Sequence, residues 1–546
     1  MVAIYGAYME KSDIKRSILS SPTKKTVFSW VFCFILAFFT LLICSKNSFL
    51  YVFNDWVDAN CFFTVGKSMV HGILPYKELF EQKGPLLFLI YGLGSLITPT
   101  SFHGVFIFEV LSFTVFNYYI LKLLNEFISS KYSLLTLLIV DALIVSRIYF
   151  VQGGSAEEFC LPYLAYSLYW FFKYTTDDKY NRYALFMNGM MAGIIVMIKY
   201  NLIGLSFIWM ALLFFYQLKN KRIKEAFTSC VWFVMGMLTP IALFSIYFLI
   251  NDGFSEFINV YFIVNATAYN AQLVLNSKII TIGFSLEKML SMDIITQILL
   301  GLGIISIYFD KSNKMSKVNK IFVVSSFVML CAGIFIGGRR YNYYLLPATM
   351  FIVFGTSYLV DLVSKLVNSI DVKKLISKFH FNFNYKPIYA TYALIAIALV
   401  GTGIALHSSS NLKFMSKTKK DYFQYTFAED MSKYNNPTLL NYGWLDLGLY
   451  TTSGIYPSMK FFHVLNISDE QMPEIRGTQN LAVAEGKPNF LVLRMDYDLT
   501  MDEKAAELAK YAKYEVVDTK DQEFEGNMNT YYLLKEKEYN RVLAQE

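Results

Sequence analysis

Long apolar stretches separated by short polar segments dominate the chain. About eleven of them approach or reach the roughly 20 residues that an α-helix needs to cross a bilayer. The pattern therefore predicts a polytopic α-helical membrane protein. The predicted spans are Val27–Cys44, His103–Leu124, Leu134–Phe150, Cys160–Phe172, Tyr183–Ile198, Leu202–Leu218, Phe227–Ile250, Ile294–Phe309, Ile321–Gly337, Leu345–Leu362 and Ala390–His407.

The charge of the connecting segments predicts the orientation of these spans. Lys24 and Lys25 precede the first one, and Lys recurs in alternate connections after it. Because basic residues accumulate in cytoplasmic loops, residues 1–26 are expected in the cytoplasm. Of the connections then left outside, only the one with Arg339 and Arg340 has adjacent basic residues. An odd number of spans places the C-terminal region outside as well.

One apolar run, Pro85–Ile97, is too short for an ordinary span. Runs of about 10–14 apolar residues are more often interfacial or re-entrant. We therefore expect this run to stay on the outer side, so that residues 46–102 form one long external loop. An ordinary span remains the alternative. It would place the Lys-containing loops that follow on the outer side of the membrane.

The apolar pattern changes after about Ser408. Short strand-like runs alternate with the helical stretch Met501–Tyr514, which predicts a small extracytoplasmic α/β domain over residues 408–546. The whole of residues 27–407 is then the membrane domain. The predicted strand runs are Leu439–Tyr442, Phe461–Val464, Phe490–Leu493 and Tyr531–Leu534.

Composition excludes several functional classes. Charged residues are 17% of the chain, against about 25% in average soluble domains. The net charge of +7 does not indicate nucleic-acid binding, because many basic residues lie in short loops between spans. The six Cys form no paired motif and the five His are far apart in sequence, so no metal site is predicted. The external acidic groups could still bind a divalent cation.

The segment Asn54–Leu87 of the external loop carries the residues most suited to chemistry. Loops longer than about 15 residues are usually functional or disordered, and the aromatic content of this one argues against disorder. It holds Asp58, Glu78, Glu81 and Lys83. We therefore interpret it as the active-site loop of a membrane enzyme.

Two more charged clusters are expected on the same side of the membrane as this loop. Charged groups at the bilayer edge are costly unless they are paired, hydrated or functional. Carboxylates facing cations suit transfer from a phosphate-linked donor. A carboxylate takes a proton from the acceptor hydroxyl, and the Arg and Lys side chains bind the phosphate. Solvated interfacial charge is the alternative for each cluster, and Lys199 at a span end could simply extend toward water. The clusters are Glu157 with Glu158 and Arg339 with Arg340.

The spacing of these residues resembles the first external loop of GT-C glycosyltransferases. The likeness is to the bacterial relatives of protein O-mannosyltransferases and of the lipid A aminoarabinose transferase, glycosyltransferase family 39 and its neighbours. It covers roughly Val27–Leu362. The motifs in the loop are Asp58 and Phe62 four residues apart, Gly72-Ile-Leu-Pro75-Tyr76, Glu78 and Glu81, and Lys83-Gly84-Pro85-Leu86. Similar features elsewhere are Gly154–Glu158, Lys199 and the run Arg340–Pro347, in which many relatives have His where Tyr343 stands.

The resemblance implies a GT-C-like fold and a sugar transferase. Such enzymes take a sugar from a polyprenyl-phosphate donor on the outer face of a bacterial plasma membrane and invert the anomeric centre. The acceptor is a glycan, lipid or wall polymer of the cell envelope. Asp58 is then the base, with Asp55 as its rival. Lys83 and Arg339 or Arg340 are expected at the donor phosphate, and Glu81 at the acceptor or a cation. Further expected substrate contacts are Tyr76, Glu78, Glu157, Glu158, Lys199 and Tyr343.

Two other functions fit the same membrane pattern. A transporter or flippase of lipid-linked sugars is one, although such proteins tend to have two related halves with broken helices, and no such halves are visible. A non-catalytic scaffold that binds wall polymer through residues 408–546 is the other. The acidic external loop favours the enzyme.

Overall fold

A computed structural model describes residues 22–127, 130–268, 275–309, 315–369, 388–524 and 526–539. Most of the predicted N-terminal segment 1–26 lies outside these residues. The helices of the membrane region are α1 (Pro22–Cys44), α2 (Val57–Val70), α3 (Pro85–Ile97), α4 (His103–Phe127), α5 (Ser130–Ser146), α6 (Ala156–Asp177), α7 (Arg182–Lys199), α8 (Gly204–Lys219), α9 (Ile223–Ile250), α10 (Leu275–Ser291), α11 (Ile294–Tyr308), α12 (Lys317–Phe335), α13 (Ile352–Ser369) and α14 (Ile388–His407).

Each predicted span overlaps one or more of these helices, so the polytopic helical architecture is confirmed. Among the described residues, five helices are long and apolar enough to cross a membrane, or up to seven if each of two bent pairs is one span. Three further apolar helices are shorter: Pro85–Ile97, Tyr132–Ser146 and Thr391–His407.

The longest apolar helical stretch, Arg182–Lys219, contains two passes. Lys199, at the end of α7, pairs with Glu157 in the first turn of α6. Gln217, near the end of α8, donates to Tyr174 in the last turn of α6. The end of α7 therefore lies at the first turn of α6, and the end of α8 lies at its last turn. The chain reverses at the 3-10 turn Tyr200–Ile203, as the two predicted spans require.

The predicted spans Phe227–Ile250 and Ile294–Phe309 leave residues 251–293 as a long external loop, but this connection is largely helical where it is described. It contains a π-helical turn, Ile258–Val264, and the helix α10, which meets α11 at an angle of 114°. The prediction of a loop was wrong because α10 is amphipathic rather than uniformly apolar. A helix with one polar face has too little apolar sequence to be recognised as a span.

The external loop folds as two helices packed closely against each other. Gly66 of α2 faces Gly92 of α3, and a Cβ atom at Gly66 would lie 2.4 Å from the carbonyl oxygen of Phe88. The absence of side chains at this crossing lets the two backbones touch. Nearly every residue of α2 is buried, which explains the aromatic content of the segment. This loop is therefore an ordered part of the core.

The C-terminal region carries a four-stranded sheet in the order β1-β2-β4-β3. Strands β1 and β2 are parallel, whereas β4 is antiparallel to both of its neighbours. Its elements are α15 (Phe423–Ser432), β1 (Leu439–Asn441), α16 (Leu449–Ser453), α17 (Pro473–Glu485), β2 (Phe490–Asp496), α18 (Met501–Ala509), β3 (Tyr514–Phe524) and β4 (Asn527–Glu536).

Two local predictions in this region were wrong. Phe461–Val464 is not a strand, because the segment leaves the sheet and packs on the external loop, where the Phe80 amide donates to the Lys460 carbonyl at 2.9 Å. The strand β3 was missed because its sequence is mostly polar, and much of it is exposed.

The sheet region packs against α2 through buried polar contacts. Asp446 accepts a hydrogen bond from the Thr64 hydroxyl at 2.6 Å, and Lys67 donates to the Tyr450 carbonyl at 3.0 Å. A single hydrophobic core includes residues of both regions, Phe63 of α2 and Phe462 among them. Residues 408–539 and the external loop therefore build one surface together.

Candidate active site

Asp58 lies in the first turn of α2, at one end of the helix bundle. Its Oδ2 atom accepts a hydrogen bond from the Tyr343 hydroxyl at 2.8 Å. The Trp56 ring packs edge-on against the Tyr343 ring, with centroids 5.1 Å apart. Asp58 is partly exposed while both of its chain neighbours are buried. The carboxylate is thus held in a fixed direction and remains accessible.

Asp55, the rival candidate for the base, is engaged differently. It forms an ion pair at 2.5 Å with Lys46, whose side chain has no exposed surface. Burial lowers the pKa of Lys46, and the Asp55 carboxylate opposes that shift. A carboxylate needed to neutralise a buried ammonium group is poorly suited to accept a proton from a substrate. The structure therefore favours Asp58 over Asp55 as a base.

The end of the external loop is fixed by Tyr76 and Gly84. Tyr76 is fully buried, and its hydroxyl donates to the Lys83 carbonyl at 2.6 Å. The Gly84 amide donates to the Ile198 carbonyl at 3.2 Å, and a Cβ atom there would lie 2.1 Å from the Met197 carbonyl oxygen. Tyr76 thus supports the loop, and glycine at position 84 lets Lys83 lie beside the end of α7.

Lys199 is the second cation at this place. It pairs with Glu157 through a short contact, and its ammonium group lies 3.7 Å from the centroid of the Tyr344 ring. The Asp58 carboxylate also attracts it, whereas the Lys83 ammonium repels it. These interactions bring Asp58, Lys83, Glu157 and Lys199 together, although these residues are far apart in the sequence.

An open cavity with about 620 Å³ of empty space lies next to these residues. It contains three cationic side chains, those of Lys83, Lys199 and Arg339, and none of the described acidic residues lines it. A site with this charge suits a phosphate group, because cations provide charge-assisted hydrogen bonds to its oxygens. The other lining residues are Gln82, Ile198, Tyr200, Asn201, Tyr261, Asn265, Ile334, Ile336, Gly337 and Tyr344.

The two arginines separate in space. Arg339 lines the cavity and donates to the Asn466 carbonyl at 2.9 Å, which ties it to the C-terminal region. Arg340 is exposed and donates to the Ser285 hydroxyl of α10 at 3.0 Å. The structure therefore places only Arg339 at the cavity.

Glu78 and Glu158 serve local structure in this conformation. Glu78 is exposed and accepts from the Leu74 amide at 2.5 Å, which closes a turn of the loop. Glu158 is buried and accepts from the Gly154 amide at 2.7 Å. Gly154 has a φ of 80°, so this glycine turn depends on the carboxylate beside it. Neither glutamate lines the cationic cavity.

Glu81 faces a different group of residues. Its carboxylate lies 3.4 Å from His463 Nε2, and His463 Nδ1 lies 3.4 Å from the Cys61 sulfur. Burial raises the pKa of Glu81 to about 7 and lowers the pKa of His463 to about 3. Both pKa shifts favour the neutral forms, a protonated Glu81 carboxyl and an unprotonated His463 imidazole.

The group of Cys61, Glu81 and His463 has the donors of a metal site. One ligand atom from each lies within 4.8 Å of the others, and all three residues are buried. Sulfur, nitrogen and oxygen donors in this number match a zinc-type ion with one further coordination position. The sequence could not show this group, because its members are far apart along the chain.

Several residues at the site were not among those predicted from the sequence. Tyr344 and Asn265 line the cavity, and Asn265 donates to the Gln82 carbonyl at 2.6 Å. Asn265 comes from the connection that was expected to be a loop. His463 comes from a run that resembled a strand. The partners of each become visible only in the folded chain.

No family model and no curated protein matches the chain in sequence. Its fold, however, is similar to that of ArnT from Cupriavidus metallidurans. The structure of that protein bound to undecaprenyl phosphate aligns with a TM-score of 0.56 at 10% identity. The apo structure aligns with a TM-score of 0.60 at 11% identity. Both alignments cover 94% of this chain and 98% of the other.

The chain has a GT-C-like fold. At this level of identity the likeness establishes the fold and nothing finer. The GT-C fold covers the helical bundle, the external loop and the C-terminal sheet together, because the alignment extends over nearly the whole of both chains. The fold implied by the loop motifs is confirmed.

Proposed function

We propose that the chain is a membrane glycosyltransferase. It takes a sugar from a polyprenyl-phosphate donor and transfers it to a cell-envelope acceptor on the outer face of the membrane. The observation that carries the proposal is the position of Asp58 near Lys199, which lines one cavity together with Lys83 and Arg339. The GT-C-like fold supports it, since the ArnT structure of that fold was obtained with undecaprenyl phosphate bound.

In this scheme Asp58 takes the proton of an acceptor hydroxyl. The acceptor oxygen forms a bond to the anomeric carbon while the bond from that carbon to the donor phosphate oxygen breaks. The electron pair leaves with polyprenyl phosphate, and the cations stabilise the charge that it gains. Because the oxygen attacks opposite the leaving group, the anomeric centre inverts.

The remaining residues position this machinery. Tyr343 orients Asp58, Glu157 balances Lys199, and Tyr76 with Gly84 fixes the backbone at Lys83. Glu81, with Cys61 and His463, would hold a divalent cation that fastens the external loop to the C-terminal region. On this assignment residues 27–407 form the catalytic domain, and residues 408–546 are extracytoplasmic.

The test is a transfer assay with the purified chain in liposomes and a labelled polyprenyl-phosphate sugar. The wild type should label a crude envelope acceptor, and Asp58→Asn should insert and unfold like the wild type without transferring sugar. Asp252→Asn is the matched control, because Asp252 lies exposed in a turn away from the cavity. Full activity of Asp58→Asn would exclude the proposed base, and donor movement across the bilayer without transfer would indicate a flippase.

A further inference from the structure

A second groove is lined by Trp56, whose ring also contacts Tyr343. Asp55 lines it beside Trp56, and Gln152 lines it from the turn before α6. Its walls come from residues 413–422, which connect α14 to the sheet, and from β3 and β4. The empty space is about 1440 Å³.

One wall of the groove is basic. Lys413, Lys417 and Lys420 are exposed there within eight residues of sequence, and Lys520 joins them from β3. Among the described residues, no carboxylate oxygen lies within 4.0 Å of any of the four ammonium groups. Lys520 donates to the Lys420 carbonyl at 3.1 Å, so the three exposed lysines are the cations available to a ligand with negative charge.

Three of the four acidic residues of the groove have partners of their own, and the fourth, Glu523, is exposed. Asp55 pairs with Lys46, and Asp421 accepts from the amide and hydroxyl of Thr418 at 2.7 and 2.8 Å. Asp521 accepts from the Thr530 hydroxyl at 2.8 Å. The groove thus offers three exposed ammonium groups together with acceptor oxygens whose directions are fixed.

Aromatic and amide groups complete the lining. Trp56, Phe414, Tyr422 and Phe524 present rings, and the Oε1 atom of Gln152 is buried without a hydrogen-bond partner among the described residues. A buried polar atom of this kind costs free energy until a ligand or water satisfies it. Rings beside amide and carboxylate oxygens suit sugar units, whose faces are apolar and whose edges carry hydroxyl groups.

The groove is linked to the proposed base through Trp56. This residue lines the groove, and its ring contacts Tyr343, which holds Asp58. Lys199, which the Asp58 carboxylate attracts, lines the cationic cavity. Asp58 is therefore connected to both through neighbouring side chains, as a base that joins a donor to an acceptor must be.

We propose that this groove binds the acceptor, and that the acceptor is an anionic glycan bearing phosphate or carboxylate groups. The lysines hold the anionic groups, while the rings and oxygens hold the sugar units. The assignment rests on the proposed transferase function, which left the class of acceptor open.

The test measures binding to the full chain in detergent, with phosphorylated dextran as probe and unmodified dextran as its neutral counterpart. The variant is Lys413→Gln/Lys417→Gln/Lys420→Gln. The matched control is Lys487→Gln/Lys510→Gln/Lys537→Gln, which removes the same charge from exposed lysines of the C-terminal region outside the groove. Losing three exposed charge contacts should weaken binding of the phosphorylated probe by roughly tenfold. The control should bind like the wild type, and both should bind undecaprenyl phosphate equally.

Three results would overturn the assignment: no binding of the phosphorylated probe by the wild type, equal binding of unmodified dextran, or equal weakening in the control variant. Displacement of the probe by phosphatidylglycerol micelles at low concentration would instead identify a lipid headgroup as the anion. The assay is repeated with Asp58→Asn, so that probe binding is scored independently of transfer. A failure of the groove and a failure of the enzyme are then distinguishable.

Discussion

Tyr343 donates its hydroxyl hydrogen to Asp58 at 2.8 Å, across 285 residues of sequence. The contact joins the external loop to the segment after α12, and it occupies one oxygen of the carboxylate. No hydrogen bond from a described residue reaches the other oxygen, which is the one left for an acceptor hydroxyl.

Tyr343→Phe should lower kcat by roughly 10–100-fold, because hydrogen bonds to charged groups contribute about 1.5–3 kcal/mol. The KM for the donor should change little, since the ring that faces Lys199 is retained. Steady-state transfer kinetics would measure both. Tyr341→Phe is the control, because Tyr341 bonds to Asn466 rather than to Asp58. An unchanged kcat would remove Tyr343 from the machinery.

Asp55→Asn should destabilise the protein by about 3–5 kcal/mol, because it leaves the buried ammonium group of Lys46 without its charged partner. Asp58→Asn should have little effect on stability. Thermal unfolding in detergent would compare the two. The double variant Lys46→Met/Asp55→Asn should recover most of the loss, and a double variant as unstable as Asp55→Asn would contradict this explanation.

The two arginines should behave differently. Arg339→Gln should weaken the affinity for undecaprenyl phosphate by roughly 10–100-fold, since it removes a charge-assisted contact. Arg340→Gln should bind nearly as the wild type does, because that side chain is directed toward Ser285. Equilibrium binding measures both variants under one salt condition. Equal losses would mean that Arg340 also reaches the phosphate.

Gly84→Ala should cost about 1–3 kcal/mol of stability, since the new methyl group would overlap the Met197 carbonyl and force the loop to move. The displaced loop carries Lys83 with it, so donor affinity should fall as well. Gly477→Ala is a suitable control, because a Cβ atom there meets nothing within 4 Å. If Gly84→Ala kept wild-type stability and affinity, the close approach at α7 would be unnecessary.

The buried Lys67 side chain should make the stability of the folded protein depend on pH. Burial lowers its pKa in the folded protein to about 8, below the value of about 10.4 in an unfolded chain. The unfolded state then binds more protons between these values, so the contribution of Lys67 to stability rises with pH from about 8 to about 10.4 and is lost below that range. The Tm of the wild type should rise relative to Lys67→Met over this interval. Parallel Tm curves would refute the shift.

The sequence predicted much of the fold because spans are read from continuous apolar runs. The loop motifs also pointed to Asp58 and Lys83, and the family resemblance pointed to Lys199; the structure brings the three together. The sequence did not predict α10, whose apolar residues cover only one face, or β3, whose residues are mostly polar. Glu78 and Arg340 were expected at the site from their charge, but charge in a sequence does not reveal the direction of a side chain.

What the sequence determined by itself is a membrane protein with an ordered, acidic external loop. Hydropathy and residue spacing are local properties, and they need no partner to be recognised. Only the tertiary structure decided that Asp55 belongs to Lys46, that Arg339 rather than Arg340 lines the cavity, and that Cys61, Glu81 and His463 meet. These are choices among partners distant in the chain, and they follow from packing, which brings together side chains that the sequence keeps apart.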